Sequence, residues 1–569
     1  MVLLGTLLGV LLVVFFLFMR APSKSAVVEA VFLEIQPVGP LYEELAFSFS
    51  RPSHFGHELH RGGKFRLAYA FNDHMVLQRA PEQAVVWGWC AADDIDCEVV
   101  LQYEELSFLA TLEGSEIVKP FDRPQIRWSF ELPLHTAGGP LTLLIFNSQG
   151  EGLAVQDVYF GDVYHCAGQS NMLLTVAQTF TGREHAEEGE TFDFPLIRVM
   201  DLGRKDSNEE RADMATAPSL PWTVSSHKTI RDVPEPFTHV SAVCWFFGKA
   251  MYEELHVPIG LVSFSANGSP LQTWSPPSVL DACGGPSTIS PHECCPTEDS
   301  VTWFGMAQPV ARLRTRAVLW YQGESNVFGP NYYVCAFPHL LEFWRAFAGQ
   351  PNLPFITVGL APIFVPRPYI ENFRAIQMNL TRLPNVQMVP AYDLGDAYSP
   401  FGDIHPRDKK PISQRLSWRL LEETFHSSIQ SHGPVVERVL VEYLTDSIII
   451  DVIFEKDLVG KEGLELRSYQ CPTNNEFRLD QATMEEYCSG FEAQLDTGAL
   501  IQLEDMERIQ PHVIRLTVHR KALESLPDPP KSQVRIAKVQ FGWCSWPKPI
   551  VYSSHGLPIL PFSIPVDVE

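Results

Sequence analysis

Two segments of the sequence carry residues that could together transfer an acyl group. Gly168-Gln169-Ser170-Asn171-Met172 sets a serine directly after the run DVYHCA, and a serine becomes a nucleophile when a nearby base takes its proton. His405 stands before a proline with carboxylates on either side, which suits a general base whose charged form an acid stabilises. The G-x-S-x-G elbow of ordinary α/β-hydrolases is incomplete, because Met172 takes the place of its second glycine. The pattern therefore disfavours an ordinary α/β-hydrolase.

Two further segments end in groups that could stabilise an oxyanion. Asn267-Gly268-Ser269 predicts a tight turn after GLVSFSA, and the N–H of such a glycine can approach a substrate oxygen closely. Gln322 and Glu324 follow AVLWY, and a side-chain amide at that point can donate to an oxyanion. Taken singly, each of the four segments has a plainer explanation: a helix N-cap, a turn glycine, a loop hydrogen bond or a surface histidine. Only the combination predicts an active site.

The region that must position these segments alternates between helix and strand patterns. Val243, Phe246, Phe247, Ala250 and Met251 have the spacing of one helix face, and the apolar run IGLVSF comes next. The same order recurs before PFITVGL and before VQMVPAYD. Such alternation predicts a parallel sheet with helices on both faces, where ligands bind at the carboxyl ends of the strands. We expect the four segments to meet at that edge.

Short strand patterns flank this region on both sides. HMVLQ, AVVWGW, CEVVLQY and PLTLLIF, separated by turn residues, predict a β-sandwich-like domain over residues 64–157. The alternating region, residues 158–427, is the expected esterase domain, and residues 428–569 return to strand patterns as a C-terminal β-rich domain. Residues 21–63 lack clear periodicity and are expected to be a poorly ordered lead-in. The expected fold class is therefore α/β with β-rich domains at both ends.

The segments GDVYHCAGQSNM, WYQGESN and DIHPRDK, in this order, resemble the sialate O-acetylesterases of the wider SGNH-type hydrolases. The similarity extends over roughly residues 64–565 and includes FNDHMVLQ and VQFGWCSWPKPIVYSSHGLPILPF. It implies an SGNH-like parallel sheet and an acetyl-ester hydrolase with Ser170 as nucleophile and His405 as base. The oxyanion and substrate-binding groups that we expect from it are the N–H of Ser170, the N–H of Gly268, Gln322, Glu324 and Asn171.

The acid partner of the histidine departs from the pattern of the superfamily. SGNH hydrolases commonly carry it three residues before the histidine, where this sequence has Gly402. Asp403 lies two residues before His405, and residues two apart share a face of an extended segment, so we expect Asp403 to be the third catalytic residue. The rivals for this role are Glu324, Asp396, Asp393 and a Ser-His dyad without an acid.

The resemblance implies a substrate as well as a mechanism. The expected substrate is sialic acid, free or glycan-linked, that carries 9-O- or 4-O-acetyl groups, and no metal or organic cofactor is called for. One alternative is an esterase for another acetylated sugar, such as acetylxylan. The other is a glycan-binding protein in which the esterase site is inactive. Because both Ser170 and His405 stand in full motif context, the sequence favours an enzyme.

Composition excludes one class of partner. Hydrophobic residues make up 45% of the 569 and charged residues 20%, as in folded globular proteins. The formal net charge of −25 would repel a phosphate backbone, and the sequence contains no lysine- and arginine-rich run interleaved with aromatics. We therefore expect no binding to nucleic acid.

The amino-terminal segment bears on the compartment. Residues 2–19 are all apolar or glycine, which fits a signal-peptide core or a short membrane anchor. We expect a cleaved signal and a lysosomal or secreted protein, with membrane attachment only if the segment stays uncleaved. The eleven cysteines also favour an oxidising compartment, and their odd number leaves at least one unpaired.

Two smaller features concern cysteines and glycosylation. The cluster Cys283, His292, Cys294 and Cys295 has no paired C-x-x-C, so it predicts a loop disulfide and not a metal site. Asn379-Leu380-Thr381 is an expected glycosylation site. Asn267 also begins a sequon, but a glycan there would block the active site.

Overall fold

The computed structural model describes the chain from residue 50 to residue 566, with gaps. The described residues are 50–56, 59, 65–91, 97–117, 124–180, 192–232, 236–284, 295–296, 298–472, 488–524 and 534–566. The expected signal or anchor and most of the expected lead-in, up to residue 49, lie outside them. Within these ranges, every helix is too short or too polar to cross a membrane.

The amino-terminal strands pair mainly antiparallel, in two groups, with one parallel pairing between the second and the ninth strand. They are β1 Phe65–Leu67, β2 Val76–Gln78, β3 Val85–Ala91, β4 Val99–Tyr103, β5 Leu106–Leu109, β6 Thr111–Ile117, β7 Pro124–Glu131, β8 Gly138–Asn147 and β9 Gly152–Gly168. One group has the order β1-β3-β7-β6, and in the other β5 pairs with β4, β4 with β8 and β8 with β9. The four strand patterns of this region are thereby confirmed as strands.

The second half of β9 is the centre of a mainly parallel sheet. Its other strands are β10 Ile197–Asp201, β11 Leu220–Val224, β12 Ile259–Ser265, β13 Ala317–Tyr321, β14 Phe355–Val358 and β15 Val386–Val389. The order is β11-β10-β12-β9-β13-β14-β15, and all neighbours are parallel except β10 and β11. The chain leaves β9 towards one edge and later crosses over to build the other. A topological switch point therefore lies around β9, which is where ligands bind in such sheets.

Helices cover both faces of this sheet. They are α1 Ser170–Leu173, α2 Ala242–Leu255, α3 Leu271–Trp274, α4 Pro277–Cys283, α5 Pro330–Ala348, α6 Tyr369–Leu380 and α7 Lys410–Phe425. Alternate residues of β13 face opposite sides: Trp320 packs in the cluster that contains Trp344 of α5, and Leu319 in the cluster that contains Trp245 of α2. Because both faces are buried, β13 consists of apolar and aromatic residues throughout. The three helices predicted from apolar spacing are confirmed as α2, α5 and α6.

Strands return after α7. They are β16 Val436–Tyr443, β17 Ser447–Phe454, β18 Leu464–Leu466, β19 Cys488–Ser489, β20 Phe491–Leu495, β21 Leu500–Leu503, β22 Asp505–Gln510, β23 Val513–His519, β24 Ile536–Phe541, β25 Trp546–Pro547, β26 Val551–Ser553 and β27 Phe562–Pro565, with the short helix α8 Arg520–Glu524. The larger sheets have the orders β16-β17-β23-β22 and β21-β20-β24-β27. Ile450 and Phe541 share their hydrophobic cluster, so the two sheets bury one core.

The expected boundary after residue 157 falls inside β9. The first part of this strand pairs with β8 and β2, and its second part pairs with β12 and β13. Asp157, at the expected boundary, has a positive φ of 55° and accepts hydrogen bonds from His74 and Arg198. The amino-terminal strands and the parallel sheet therefore share one continuous strand.

Disulfides link several of these elements. Among the described residues they join Cys90 to Cys97, Cys166 to Cys244, Cys283 to Cys335 and Cys471 to Cys488, while Cys544 is free and buried. The Cys166–Cys244 bond ties β9 to α2 directly behind the serine motif. These bonds suit an oxidising, extracellular or lumenal environment.

Candidate active site

The carboxyl ends of three parallel strands meet at one edge of the sheet. Gly168 at the end of β9 is in register with Ser265 of β12 and with Tyr321 of β13. Hydrogen bonds continue past the strands, since Gln169 N–H donates to the Tyr321 carbonyl at 3.0 Å and Ala266 N–H donates to the Gly168 carbonyl at 3.1 Å. The segments that carry Ser170, Gly268 and Gln322 therefore begin side by side, as the alternating pattern predicts.

Gly168 is required at the turn from β9 into the serine segment. Its φ is 147°, and a Cβ atom there would lie 2.1 Å from the Tyr321 carbonyl oxygen. No other residue leaves room for β13 at this distance. The glycine thus allows the chain to turn while the two strands stay hydrogen-bonded.

Ser170 begins α1 and is 5% exposed. Among the described residues, no protein acceptor lies within hydrogen-bond distance of the Ser170 N–H, and the same holds for the N–H of Gly268. Two backbone donors that follow adjacent strands are thus available, one of them on the residue that carries the buried hydroxyl. Such donors can stabilise the negative oxygen of a tetrahedral intermediate.

Asn171 joins the serine segment to the loop that carries His405. Its Nδ2 donates to the carbonyl of Ile404 at 2.8 Å, so the residues that follow Ser170 and precede His405 are in direct contact. The ring of Phe237 lies 5.3 Å from the ring of His405, centroid to centroid. The structure therefore brings together the serine and histidine segments, which are more than two hundred residues apart in the sequence.

The imidazole of His405 is held by a backbone carbonyl. Its Nδ1 lies 2.6 Å from the Phe401 carbonyl oxygen, and since a carbonyl can only accept, Nδ1 carries the proton. In the neutral ring Nε2 then has a free lone pair, and Nε2 is buried with no hydrogen-bond partner among the described residues. Burial lowers the pKa of His405 below its ordinary value of 6.5, and the charge of Lys409 acts in the same direction. The ring is therefore neutral and oriented near pH 7.

None of the four candidate acids is hydrogen-bonded to this imidazole. The Asp403 carboxylate accepts from the Phe364 N–H at 2.8 Å, so its effect on His405 is through its charge, which raises the pKa of the imidazole. The others bind Arg415 (Asp393), Arg407 (Asp396) and Asn171 (Glu324). Gly402, where the superfamily commonly has its acid, has a φ of 91°, which side-chain-bearing residues rarely adopt.

Two of the expected substrate-binding amides are used inside the protein. Gln322 Nε2 donates to the Ser269 carbonyl at 3.1 Å and to Asn326 Oδ1 at 2.8 Å, which employs both of its N–H groups. Asn171 donates to Ile404 and to Glu324 Oε1, and its Oδ1 accepts from Lys409 Nζ. Both side chains therefore hydrogen-bond neighbouring loops of the site to one another. Neither has an amide N–H left to donate to a substrate.

Sequence reasoning missed three polar residues that shape the site. Gln169 Oε1 accepts from the N–H of Gly323, Asn326 Oδ1 accepts from the N–H of Leu271, and Lys409 is completely buried. Gln169 and Asn326 stand inside the motifs GQSNM and WYQGESN, so their place in these motifs could have identified them as site residues. Lys409 ends DIHPRDK, where nothing distinguishes a buried lysine from the exposed Lys410 beside it.

The structure shows where some of the residues considered for metal binding and glycosylation lie. Cys283 forms a disulfide with Cys335, so its sulfur is not a thiolate ligand; His292 and Cys294 lie outside the described residues. Asn379 is exposed near the end of α6, whereas Asn267 is half-buried and its Oδ1 is enclosed. Glycosylation at Asn379 remains a prediction.

Comparisons with known proteins agree with the motifs. A family model described as carbohydrate esterase, sialic acid-specific acetylesterase, matches residues 160–400. The mouse sialate O-acetylesterase is 31% identical over 444 residues, covering 69% of this chain and 80% of the mouse protein. The human sialate O-acetylesterase is 30% identical over 445 residues, covering 74% of this chain and 82% of the human protein.

A solved structure shares the architecture. A carbohydrate acetylesterase from Xanthomonas citri aligns with a TM-score of 0.66 and 22% identity, covering 88% of this chain and 99% of that one. The mixed α/β fold with additional β-rich parts is therefore common to both chains.

Proposed function

Because this chain belongs to the sialate O-acetylesterase family, we propose that it removes O-acetyl groups from sialic acids through a serine acyl-enzyme. The chain is a carbohydrate esterase by family. The positions hydrolysed are proposed to be the 9-O- and 4-O-acetyl groups. The parallel sheet with helices on both faces supports assigning the central region to the SGNH type.

The observation that carries the mechanism is the hydrogen bond from His405 Nδ1–H to the Phe401 carbonyl. It selects the tautomer in which Nε2 is the proton acceptor. In the first step Ser170 Oγ attacks the acetyl carbonyl carbon while its proton passes to Nε2. The sugar oxygen then leaves and takes this proton, and the acetyl group remains on Ser170. In the second step water attacks the acyl carbon while its proton passes to Nε2. The bond from this carbon to Ser170 Oγ breaks, Oγ takes the proton back from Nε2, and acetate leaves.

We propose the backbone N–H groups of Ser170 and Gly268 as the oxyanion donors. Both are free of protein acceptors in the described chain, and they lie on neighbouring loops at one sheet edge. Gln322 supports this arrangement indirectly, because its hydrogen bond to the Ser269 carbonyl fixes the loop that bears Gly268. Asp403 is proposed to stabilise the imidazolium by its charge, while the Phe401 carbonyl orients the ring.

The proposed site of action is the lysosome or the outside of the cell. The disulfides support an oxidising route, and a cleaved amino-terminal signal would provide entry to it. Amino-terminal sequencing of protein purified from mammalian cells would detect the loss of the first twenty-odd residues. An intact terminus in the membrane fraction would instead support the anchor.

Acetate release by purified protein tests the function. We expect hydrolysis of O-acetylated sialic acid by the wild type and a loss of kcat of several orders of magnitude in Ser170→Ala, with melting temperature unchanged within a few degrees. Acetylated xylan oligosaccharides form the comparison, since preference for them would reassign the sugar specificity. A Ser170→Ala variant that retains wild-type kcat would refute the mechanism.

A further inference from the structure

A completely buried lysine lies beside the proposed site and has no part in the mechanism above. Lys409 directly precedes α7 and stands four residues after His405. Its Nζ donates to Asn171 Oδ1 at 2.7 Å and lies 5.1 Å from the centre of the Tyr321 ring. Burying an ammonium group is costly unless partners compensate for its lost hydration. These contacts therefore have to compensate for part of the hydration that the lysine loses on folding.

Asn171 connects this lysine to the loop after β13 and to the residue before His405 in its own loop. The same amide that accepts from Lys409 donates to Glu324 Oε1 at 2.5 Å and to the Ile404 carbonyl at 2.8 Å. Two segments thus converge on the Asn171 side chain: the DIHPRDK loop, at both Ile404 and Lys409, and the loop after β13, at Glu324. Burial raises the pKa of Glu324 and lowers that of Lys409, and the charge of each acts on the pKa of the other in the opposite direction.

We propose that Lys409 is a positioning residue of the esterase, which through Asn171 holds the His405 loop in place against the serine segment. An amide group is planar, so a donor that fixes Oδ1 of Asn171 also fixes the direction of its two N–H bonds. One of those bonds reaches the residue before His405. This inference rests on the proposed function, because it assigns a role relative to Ser170 and His405.

The charge of Lys409 has a second effect on the base. The groups that act on the His405 imidazole are Asp403 and the Phe401 carbonyl, which raise its pKa, and Lys409, which lowers it, with the Phe237 ring packed alongside. Lys409 itself is influenced by Glu324, Asp408 and Asp396, which raise its pKa, whereas burial lowers that pKa to about 7. Below pH 7 the lysine is therefore charged, and its charge opposes protonation of His405. The base stays neutral at a lower pH than it otherwise would.

Three substitutions at Lys409 separate these effects. Lys409→Met removes both the hydrogen-bond donor and the charge, Lys409→Gln keeps a donor without a charge, and Lys409→Arg keeps both in a bulkier group. Lys410→Met is the matched control, because this lysine is the next residue but is exposed. The assay is hydrolysis of p-nitrophenyl acetate and of O-acetylated sialic acid from pH 4 to pH 8, with melting temperatures for each variant.

We expect Lys409→Met to lose about 100-fold in kcat with little change in KM for p-nitrophenyl acetate, as for a displaced catalytic group. Lys409→Gln should retain more of kcat than the methionine variant. In both neutral variants the acidic limb of kcat/KM should move to higher pH, whereas Lys409→Arg and Lys410→Met should keep the wild-type limb. If the methionine variant does not fold, the pH of the acidic limb in Lys409→Gln tests whether Lys409 acts on His405.

The outcomes distinguish this inference from the function beneath it. An inactive wild type, or an active Ser170→Ala, would overturn the proposed function and this inference together. An active wild type whose Lys409→Gln variant keeps both kcat and the acidic limb would overturn the role of Lys409 alone. A folded Lys409→Met variant with wild-type kcat would do the same.

Discussion

At the scale of single residues, the partner of His405 is a backbone carbonyl where the sequence favours Asp403. Two residues apart in an extended segment share a face, but this loop is not extended: the N–H of His405 donates back to the Gly402 carbonyl at 2.9 Å. The turn directs the Asp403 carboxylate to the Phe364 N–H. Local backbone geometry of this kind depends on contacts from a distant loop, so the spacing of the residues alone could not reveal it.

Asp403→Asn measures how much the carboxylate contributes. Because an amide oxygen can still accept from the Phe364 N–H and the Phe401 carbonyl still orients the ring, we expect a loss of only about 10-fold in kcat, or roughly 1.4 kcal/mol. Steady-state kinetics with O-acetylated sialic acid, together with melting temperatures, provide the measurement. A loss near ~10⁴-fold, as for the acid of a catalytic triad, would restore Asp403 to that role.

At the scale of elements, apolar spacing was sufficient to predict the helices and strands that build the site. The i, i+3, i+4 spacing from Val243 to Met251 locates α2, and the strand after it follows from the run IGLVSF. Apolar spacing does not predict that β9 continues across the expected domain boundary after residue 157. Sequence patterns describe which residues a segment buries. They do not identify the partner strands of β9, one of which, β13, lies 153 positions further along the chain.

The contact between β9 and β13 can be tested at its narrowest point. Gly168→Ala would force a Cβ atom against the Tyr321 carbonyl, and we expect it to lower the free energy of unfolding by about 3 kcal/mol or more and to impair activity. Gly150→Ala is the matched control: its φ is also positive, at 82°, but nothing lies within 4 Å of the added atom, so about 1 kcal/mol is expected. Urea unfolding of both variants gives the two values. Equal losses of unfolding free energy would mean that the positive φ, and not the contact with the Tyr321 carbonyl, is the reason why position 168 requires glycine.

At the scale of the whole molecule, one buried histidine makes stability depend on pH. His165 on β9 is fully buried, packs edge-on against Phe264, and has both ring nitrogens without a hydrogen-bond partner among the described residues. Burial lowers its pKa from 6.5 to about 3. The unfolded chain therefore binds this proton at a higher pH than the folded chain does. The contribution of neutral, buried His165 to the free energy of unfolding is full above pH 6.5 and is lost as the pH is lowered towards 3.

His165→Leu should reduce that dependence. We expect the free energy of unfolding of the wild type to decrease on acidification with a contribution from this residue of at most about 1.4 kcal/mol per pH unit, which the leucine variant lacks. Urea unfolding at pH 7, 5 and 4 gives the slopes, and His339→Leu, at an exposed position, is the control. Identical slopes in the wild type and His165→Leu would contradict the assignment.

The continuity of β9 limits how this enzyme can be taken apart. A chimera that joins residues 158–427 to another amino-terminal module would cut a strand in two and remove β2 and β8, which pair with residues 158–161 of β9. Residues 158–427 therefore cannot be moved into another protein as a separate unit, as a catalytic domain on a flexible linker could be. Any exchange between relatives has to carry β9 together with the strands that pair with both of its halves.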